Sequence, residues 1–392
     1  MTTQLTKNVF SVGVSDPNLR VFDVVMETKS GTTYNAYLVK GSEKTAVVEM
    51  VKERFHDEHI ENLKELVDVE TIDYIVISHC EPDHSGSLGA FLELCPNAQI
   101  VGSQATGNLL PNIVNKDIEV KVVKDNDTLS LGDVELEFYM APFLHWPDTM
   151  LTYVKQDKVL FTSDVFGCHY YNADTIFDDG EGLYEAQEFY YKVIMSPYKT
   201  FVPPMLKKIE GLEIDMLCPA HGPILKKPEV IINHYKDWVK DINVKNIPKK
   251  AVIVYVSAYG YTRSLAETFK EELLAAGFDV DAYDAQYVDA EEILKAIDSA
   301  DALLFGSPTF TRDALPPILD ILSRISAVAY RNKPACAFGS YGWSGEGTIH
   351  ITQRLKQLGF KITDPYRVRL KPSQEQIDEA RQYIRGFIET IK

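Results

Sequence analysis

The sequence predicts an α/β protein of two domains, the second a doubly wound parallel sheet of five strands. Three observations predict it. The chain has 392 residues, too many for one typical domain. After residue 250, apolar runs alternate five times with amphipathic ones, the rhythm of βα units that build a parallel sheet. Before residue 245 the apolar runs are shorter and more numerous, and histidines and carboxylates recur just past their ends.

In the N-terminal part, β-branched and apolar runs predict strands over 21–27, 33–39, 46–49, 72–78, 99–101, 134–139, 150–154, 158–162 and 216–218. Helical spacing predicts helices over 55–66 and 181–195, the second rich in tyrosine. The stretch Lys245-Asn246-Ile247-Pro248-Lys249-Lys250 is polar and broken by proline. The domain boundary is therefore expected between 248 and 249. Beyond it, strands over 252–256, 279–282, 302–306, 334–339 and 366–370 lead in turn to helices over 263–276, 290–297, 315–325, 348–358 and 374–391.

The hydrophobic fraction of 45% is enough for real cores. The net charge of −17 argues against nucleic acid and against an anionic membrane as partners. The start, MTTQLTKNVF, lacks a signal pattern, and no run is long enough to span a bilayer. Cys80, Cys95, Cys168, Cys218 and Cys336 are odd in number and form no CxxC pair. Reduced thiols in a cytoplasmic protein are expected, with no thiolate metal site.

Residues 77–86 read ISHCEPDHSG. His79, Glu81, Asp83 and His84 lie within six positions, after an apolar strand. His145, Asp164 and His221 each stand just past the carboxyl end of another predicted strand, where α/β folds gather their sites. Imidazole and carboxylate donors without thiolate suit iron, manganese or zinc. Seven donors are too many for one tetrahedral ion and suit two. Asp164 is the candidate bridge, since one carboxylate can bind both ions. A lone histidine after a strand is more often a core or capping residue. His56, His59, His234 and His350 are read as helix or surface residues, and His169 as a neighbour of the site.

The first βα turn after the boundary reads Ser257-Ala258-Tyr259-Gly260-Tyr261-Thr262. Hydroxyls and backbone N–H groups at a helix N-terminus form an anion site, and the GxGxxG dinucleotide pattern is absent. Two later strand-end loops hold Ser307, Pro308, Thr309 and Phe310, and Ser340, Tyr341, Gly342, Trp343 and Gly345. Such loops can clasp a flat ring system, with Tyr341 or Trp343 stacked on it.

The His-x-Glu-x-Asp-His cluster, followed by His, Asp and His at long spacing, resembles the metallo-β-lactamase fold, an αββα sandwich. Most members carry a histidine where Glu81 stands and use zinc for hydrolysis. Glu81 marks a resemblance to one branch, the flavodiiron proteins, as do residues 31–37 and 144–148. Their second domain is flavodoxin-like, and the Ser257–Thr262 turn resembles a flavodoxin phosphate loop. The resemblance implies two non-haem irons and FMN. It assigns one iron to His79, Glu81 and His145, the other to Asp83, His84 and His221, with Asp164 bridging. The residue matching His84 swings away in some members.

The implied reaction is reduction of dioxygen to water, or of nitric oxide to nitrous oxide. It implies a head-to-tail homodimer, or a dimer of dimers. The chain ends shortly after its last predicted helix, so electrons are expected from an external donor such as a rubredoxin. Where many relatives carry histidine in an Arg-x-Phe-His segment, this chain has Asp23. That departure bears on gas preference or proton supply. Tyr190 is a candidate for the pocket wall, with core packing as the alternative. The rival functions are a zinc hydrolase with an added flavodoxin domain and a non-catalytic electron carrier.

An anionic oxygen donor at position 81 favours iron over zinc and supports its higher oxidation state. Glu81→His is therefore expected to lose iron and gas reduction together. Full iron loading and activity in that variant would overturn this account.

Overall fold

The computed structural model of the chain describes residues 2–23, 26–240 and 248–391. It comprises two compact units, Met1–Ile242 and Asn243–Lys392. Of the expected linker, residues 245–247 lie outside the described residues.

In the first unit a seven-stranded and a five-stranded sheet pack face to face. Strand parity decides the layers. Val39, Ala46, Val48 and Val76 meet Leu136, Phe138, Val154 and Phe161 between the sheets. Their neighbours Leu38, Val47 and Ile75, and Leu151, Leu160 and Leu217, turn outward under the helices. Both faces of the central strands are buried, so these runs show no apolar–polar alternation. The result is the αββα sandwich.

Here the structure differs from the expected elements in several places. The 21–27 strand is two short ones, Val21–Phe22 and Met26–Glu27, hinged at Asp23, whose φ is +47°. The 33–39 strand is also two, Thr32–Tyr34 and Tyr37–Lys40. The 181–195 helix is an α-helix, Leu183–Tyr190, continued by a π-turn, Tyr191–Met195. Helices Leu88–Leu94, Gln104–Val114, Val202–Ile209 and Pro228–Trp238 were not anticipated. Three of them hold prolines inside or at the start, which masks them as loops.

The second unit follows its alternation closely. Asp279–Asp284, Lys250–Tyr255, Ala302–Gly306, Pro334–Tyr341 and Lys361–Arg369 lie side by side in that order, all parallel. One apolar cluster covers each face. The order reverses beside Lys250–Tyr255, which opens a crevice at the carboxyl ends there. All five cysteines are free and buried. Among the described residues no helix is long and apolar enough to cross a membrane.

His59 lies on helix His56–Lys64, but its ring is buried in the first unit rather than set at the surface. Its Nδ1 is 2.9 Å from the Val12 carbonyl, and burial lowers its pKa from 6.5 to about 4. Above pH 6.5 the ring is neutral in both folded and unfolded chains. Below that, the unfolded chain binds a proton that the folded chain refuses, so stability falls as pH falls. At about pH 5 the loss is about 2 kcal/mol. His59→Gln is expected to narrow the gap in unfolding free energy between about pH 7.5 and about pH 5 by that amount, read by denaturant titration.

Candidate metal centre and flavin cavity

Four strand ends converge at one edge of the sandwich. Tyr74–Val76 leads to His79 and to the short helix Pro82–Ser85, which carries Asp83 and His84. Glu135–Met140 leads to the loop of His145, Val159–Ser163 to Asp164, and Met216–Pro219 to His221. The chain turns sharply at these ends. Ser163 and Phe143 have φ of +51° and +65°, and Asp23 at the rim is also left-handed. Such backbone persists only where the surroundings enforce it. Gly222 follows His221 at φ +82°, and a Cβ there would stand 2.6 Å from the Cys168 carbonyl oxygen.

The structure brings the seven candidate donors into two groups: His79, Glu81, His145 and Asp164, and Asp83, His84 and His221. In the first, Glu81 Oε2 lies 3.1 Å from His79 Nε2 and 3.0 Å from His145 Nε2. In the second, Asp83 Oδ2 lies 3.0 Å from His221 Nε2. Asp164 touches both groups with different oxygens. Its Oδ2 is 3.2 Å from His145 Nε2 and 3.4 Å from His79 Nε2. Its Oδ1 is 3.2 Å from His84 Nε2 and 3.5 Å from His221 Nε2.

Three carboxylates thus crowd one pocket, and Asp83 and Asp164 are almost wholly buried. Burial alone would raise the Asp164 pKa, but His84, His145 and His79 hold it well below the ordinary value. Burial opposes a charged His84, yet Asp83 and Asp164 push its pKa well above the usual value. Both oxygens of Asp83, Asp164 Oδ2 and His84 Nε2 have no hydrogen-bond partner. Buried anions need cationic compensation. Two divalent ions supply it while the imidazoles bind as neutral donors, so the residues fit a two-metal centre.

Further side chains fix these donors. The Cys80 N–H donates to Asp148 Oδ2 at 2.6 Å, and Asp148 Oδ1 lies 3.3 Å from His79 Nδ1. His221 Nδ1 is 2.7 Å from the Thr33 carbonyl. The Tyr190 hydroxyl donates to Asp164 Oδ1 at 3.0 Å. The His169 ring packs at a tilt on Phe22, 4.1 Å between centres, with its Nδ1 2.8 Å from Thr32 Oγ1. Burial, then Glu81, pushes the Asp23 carboxyl up to about 6. Sequence reasoning gave Asp148, Thr33 and Glu49 no role. The signal available was, for Thr33 and Asp148, their place in segments 31–37 and 144–148, and for Glu49 its place just past strand Thr45–Val48.

In the second unit a cavity of about 350 Å³ opens at the crevice. Tyr259, Tyr261, Pro308, Thr309, Phe310, Ser340, Tyr341, Gly342 and Trp343 line it. Trp343 is 93% exposed and Tyr259 75%, so two aromatic faces flank the cavity unpacked. Ser257, Gly260, Thr262, Ser307 and Gly345 are not in the lining. Gly260 caps helix Tyr261–Ala275 with φ +82°, and Ser257 Oγ accepts from the Arg263 N–H within that turn. Thr262 and Ser340 hydroxyls lie 3.1 Å apart. The Ser307 hydroxyl is engaged in its own loop, accepting from Leu315 N–H. Gly345 caps helix Glu346–Gln357 at φ +77°. An apolar slot with open aromatic faces beside a helix N-terminus fits a flavin mononucleotide.

Comparison with known proteins agrees with this geometry. The family profile described as ODP family beta lactamase matches residues 32–222, and the flavodoxin profile matches 253–383. The chain is 39% identical over 398 residues to the flavo-diiron protein FprA2 of Clostridium acetobutylicum, covering 99% of each. It is 36% identical to the nitric oxide reductase of Moorella thermoacetica, covering 91% of this chain and 90% of that one. Among solved structures it is similar to rubredoxin oxygen:oxidoreductase from Desulfovibrio gigas, with a TM-score of 0.70 at 30% identity, covering 100% of this chain and 98% of that one.

Stripping metal with a chelator uncovers the buried carboxylates. At metal concentrations near a thousand times Kd, binding adds about 4 kcal/mol. The chelated protein is therefore expected to melt roughly 10 °C lower, and ferrous ion to restore the midpoint. An unchanged midpoint would count against a metal site.

Proposed function

We propose a function from the premise that this chain belongs to the flavodiiron proteins. It is an oxidoreductase that reduces dioxygen to water, nitric oxide to nitrous oxide and water, or both, at a non-haem diiron centre, with electrons passed through FMN. The observation that carries this reading is Asp164, which turns one oxygen to each of two donor groups.

His79, Glu81 and His145 would hold one iron, Asp83, His84 and His221 the other, and Asp164 would bridge. The irons bound there would hand electrons to the gas, and FMN would replenish them in ones or twos. Everything else falls to side chains. Asp148 and the Thr33 carbonyl hold two imidazoles so that Nε2 points inward. Tyr190 donates to Asp164 Oδ1, turning that carboxylate between the two groups, and with Phe22 and His169 it walls the pocket. The apolar wall keeps bulk water from the reacting gas.

The two tasks divide at 1–248 and 249–392. Within one chain, electrons need a short path between the centres, and a head-to-tail dimer supplies it by pairing opposite units of two chains. Two exposed aromatic surfaces support this arrangement. Phe143 and Phe201 meet at a tilt, 4.8 Å between ring centres, beside the His145 loop, and Tyr259 and Trp343 flank the flavin cavity. Arg312 lines that cavity and Arg369 donates to the Gly342 carbonyl at its edge. Cations there suit an acidic electron carrier, and we take a rubredoxin as the donor. Five buried, unpaired thiols support a cytoplasmic setting.

Anaerobic purification with metal and flavin analysis tests the class. Two irons and one FMN per chain are expected, with gas consumed on addition of reduced rubredoxin. His145→Ala and Asp164→Ala should abolish gas consumption while flavin reduction persists. Zinc in place of iron, with no gas consumed, would overturn the reading in favour of a hydrolase.

A further inference from the structure

Three buried imidazoles present Nε2 to the donor groups, and each must be held from its other nitrogen. His79 has Asp148 and His221 has the Thr33 carbonyl. The acceptor that faces His84 Nδ1 is Glu49, with Oε2 at 3.8 Å. Glu49 is 1% exposed, and neither of its carboxylate oxygens has a hydrogen-bond partner. The separation exceeds a hydrogen bond, and closing it takes a shift of under about 1 Å.

The backbone holds Glu49 in place at some expense. It follows strand Thr45–Val48 directly, in the left-handed region at φ +64°. A glutamate adopts that conformation only where its surroundings enforce it. Its N–H donates to the Val76 carbonyl at 2.9 Å, and the next N–H, of Met50, donates to the carbonyl of His84 itself at 3.0 Å. The segment is thus fastened to the strand before the donor loop and to the very residue its side chain faces. His84 sits on a four-residue helix, which offers little rigidity of its own.

We propose that Glu49 is the positioning residue for His84: its carboxylate accepts from Nδ1 and keeps the ring turned inward, leaving Nε2 free for the second metal ion. The inference rests on the two-metal reading above.

Cobalt(II) titration of the iron-free holoflavoprotein tests it, because visible absorption reports each site's coordination without any turnover. The wild type is expected to take up two equivalents. Glu49→Leu should leave the first unchanged and weaken the second about 10- to 100-fold. Glu49→Gln keeps an acceptor for Nδ1 and should stay within a few-fold of wild type. In a His84→Ala background, Glu49→Leu should have no further effect. A second equivalent as tight in Glu49→Leu as in wild type would overturn the proposal, as would equal weakening with and without His84. Should Glu49→Leu fail to fold, a crystal structure of the cobalt-loaded wild type decides. Nδ1 within hydrogen-bonding distance of Glu49 supports the proposal, and a ring turned to solvent overturns it. A wild type that binds no cobalt would sink the metal reading as well, an outcome distinct from two filled sites with Glu49 silent.

Discussion

Three carboxylates forced into one buried pocket set the terms for the rest of the first unit. Asp83 and Asp164 are almost fully removed from water, and Glu81 lies within hydrogen-bonding distance of two imidazoles. No arrangement of neutral side chains compensates that charge. The four imidazoles can do so only as cations, and then they repel one another. Divalent ions resolve the conflict by letting every imidazole bind neutral. The sandwich acts as the clamp that keeps these groups close despite their repulsion.

A clamp of this kind needs rigid anchor points. The donors stand one to eight residues beyond four strands, three of which are buried along their whole length. The tight left-handed turns at Ser163 and Phe143 aim the side chains across the sheet edge. Around them Asp148 and the Thr33 carbonyl lie within hydrogen-bonding distance of ring nitrogens on the side away from the pocket, and the Glu49 carboxylate faces a third at 3.8 Å.

The second unit solves a gentler problem. Its cavity lies where the strand order reverses, so two neighbouring crossovers leave on opposite faces and a slot opens between their loops. Strain and buried charge are not needed there. Exposed rings at Trp343 and Tyr259, and the helix N-terminus behind Gly260, are the groups there suited to stacking and to an anion. Of the hydroxyls that sequence reasoning marked for the flavin, Ser307 accepts from the Leu315 N–H within its own loop and Thr262 meets Ser340 across two loops. A hydroxyl in a strand-end loop reads the same in sequence whichever partner it takes.

The sequence alone determined the regular parts and the chemistry. The five βα units were legible because each helix buries one face, leaving a 3.6-residue period. The donor types were legible because imidazole and carboxylate at strand ends have few other uses in such density. The helices at 104–114 and 228–238 were hidden by Pro111 and Pro228, since local signals cannot tell a tolerated proline from a break. Only the tertiary structure decided that Asp164 divides its oxygens between two groups, that Asp148 and Glu49 stand behind the histidines, and that His84 turns inward. These residues lie far apart in sequence, 68 positions from Cys80 to Asp148. Their relation is a matter of angle and distance across the sheet edge, which sequence spacing does not encode.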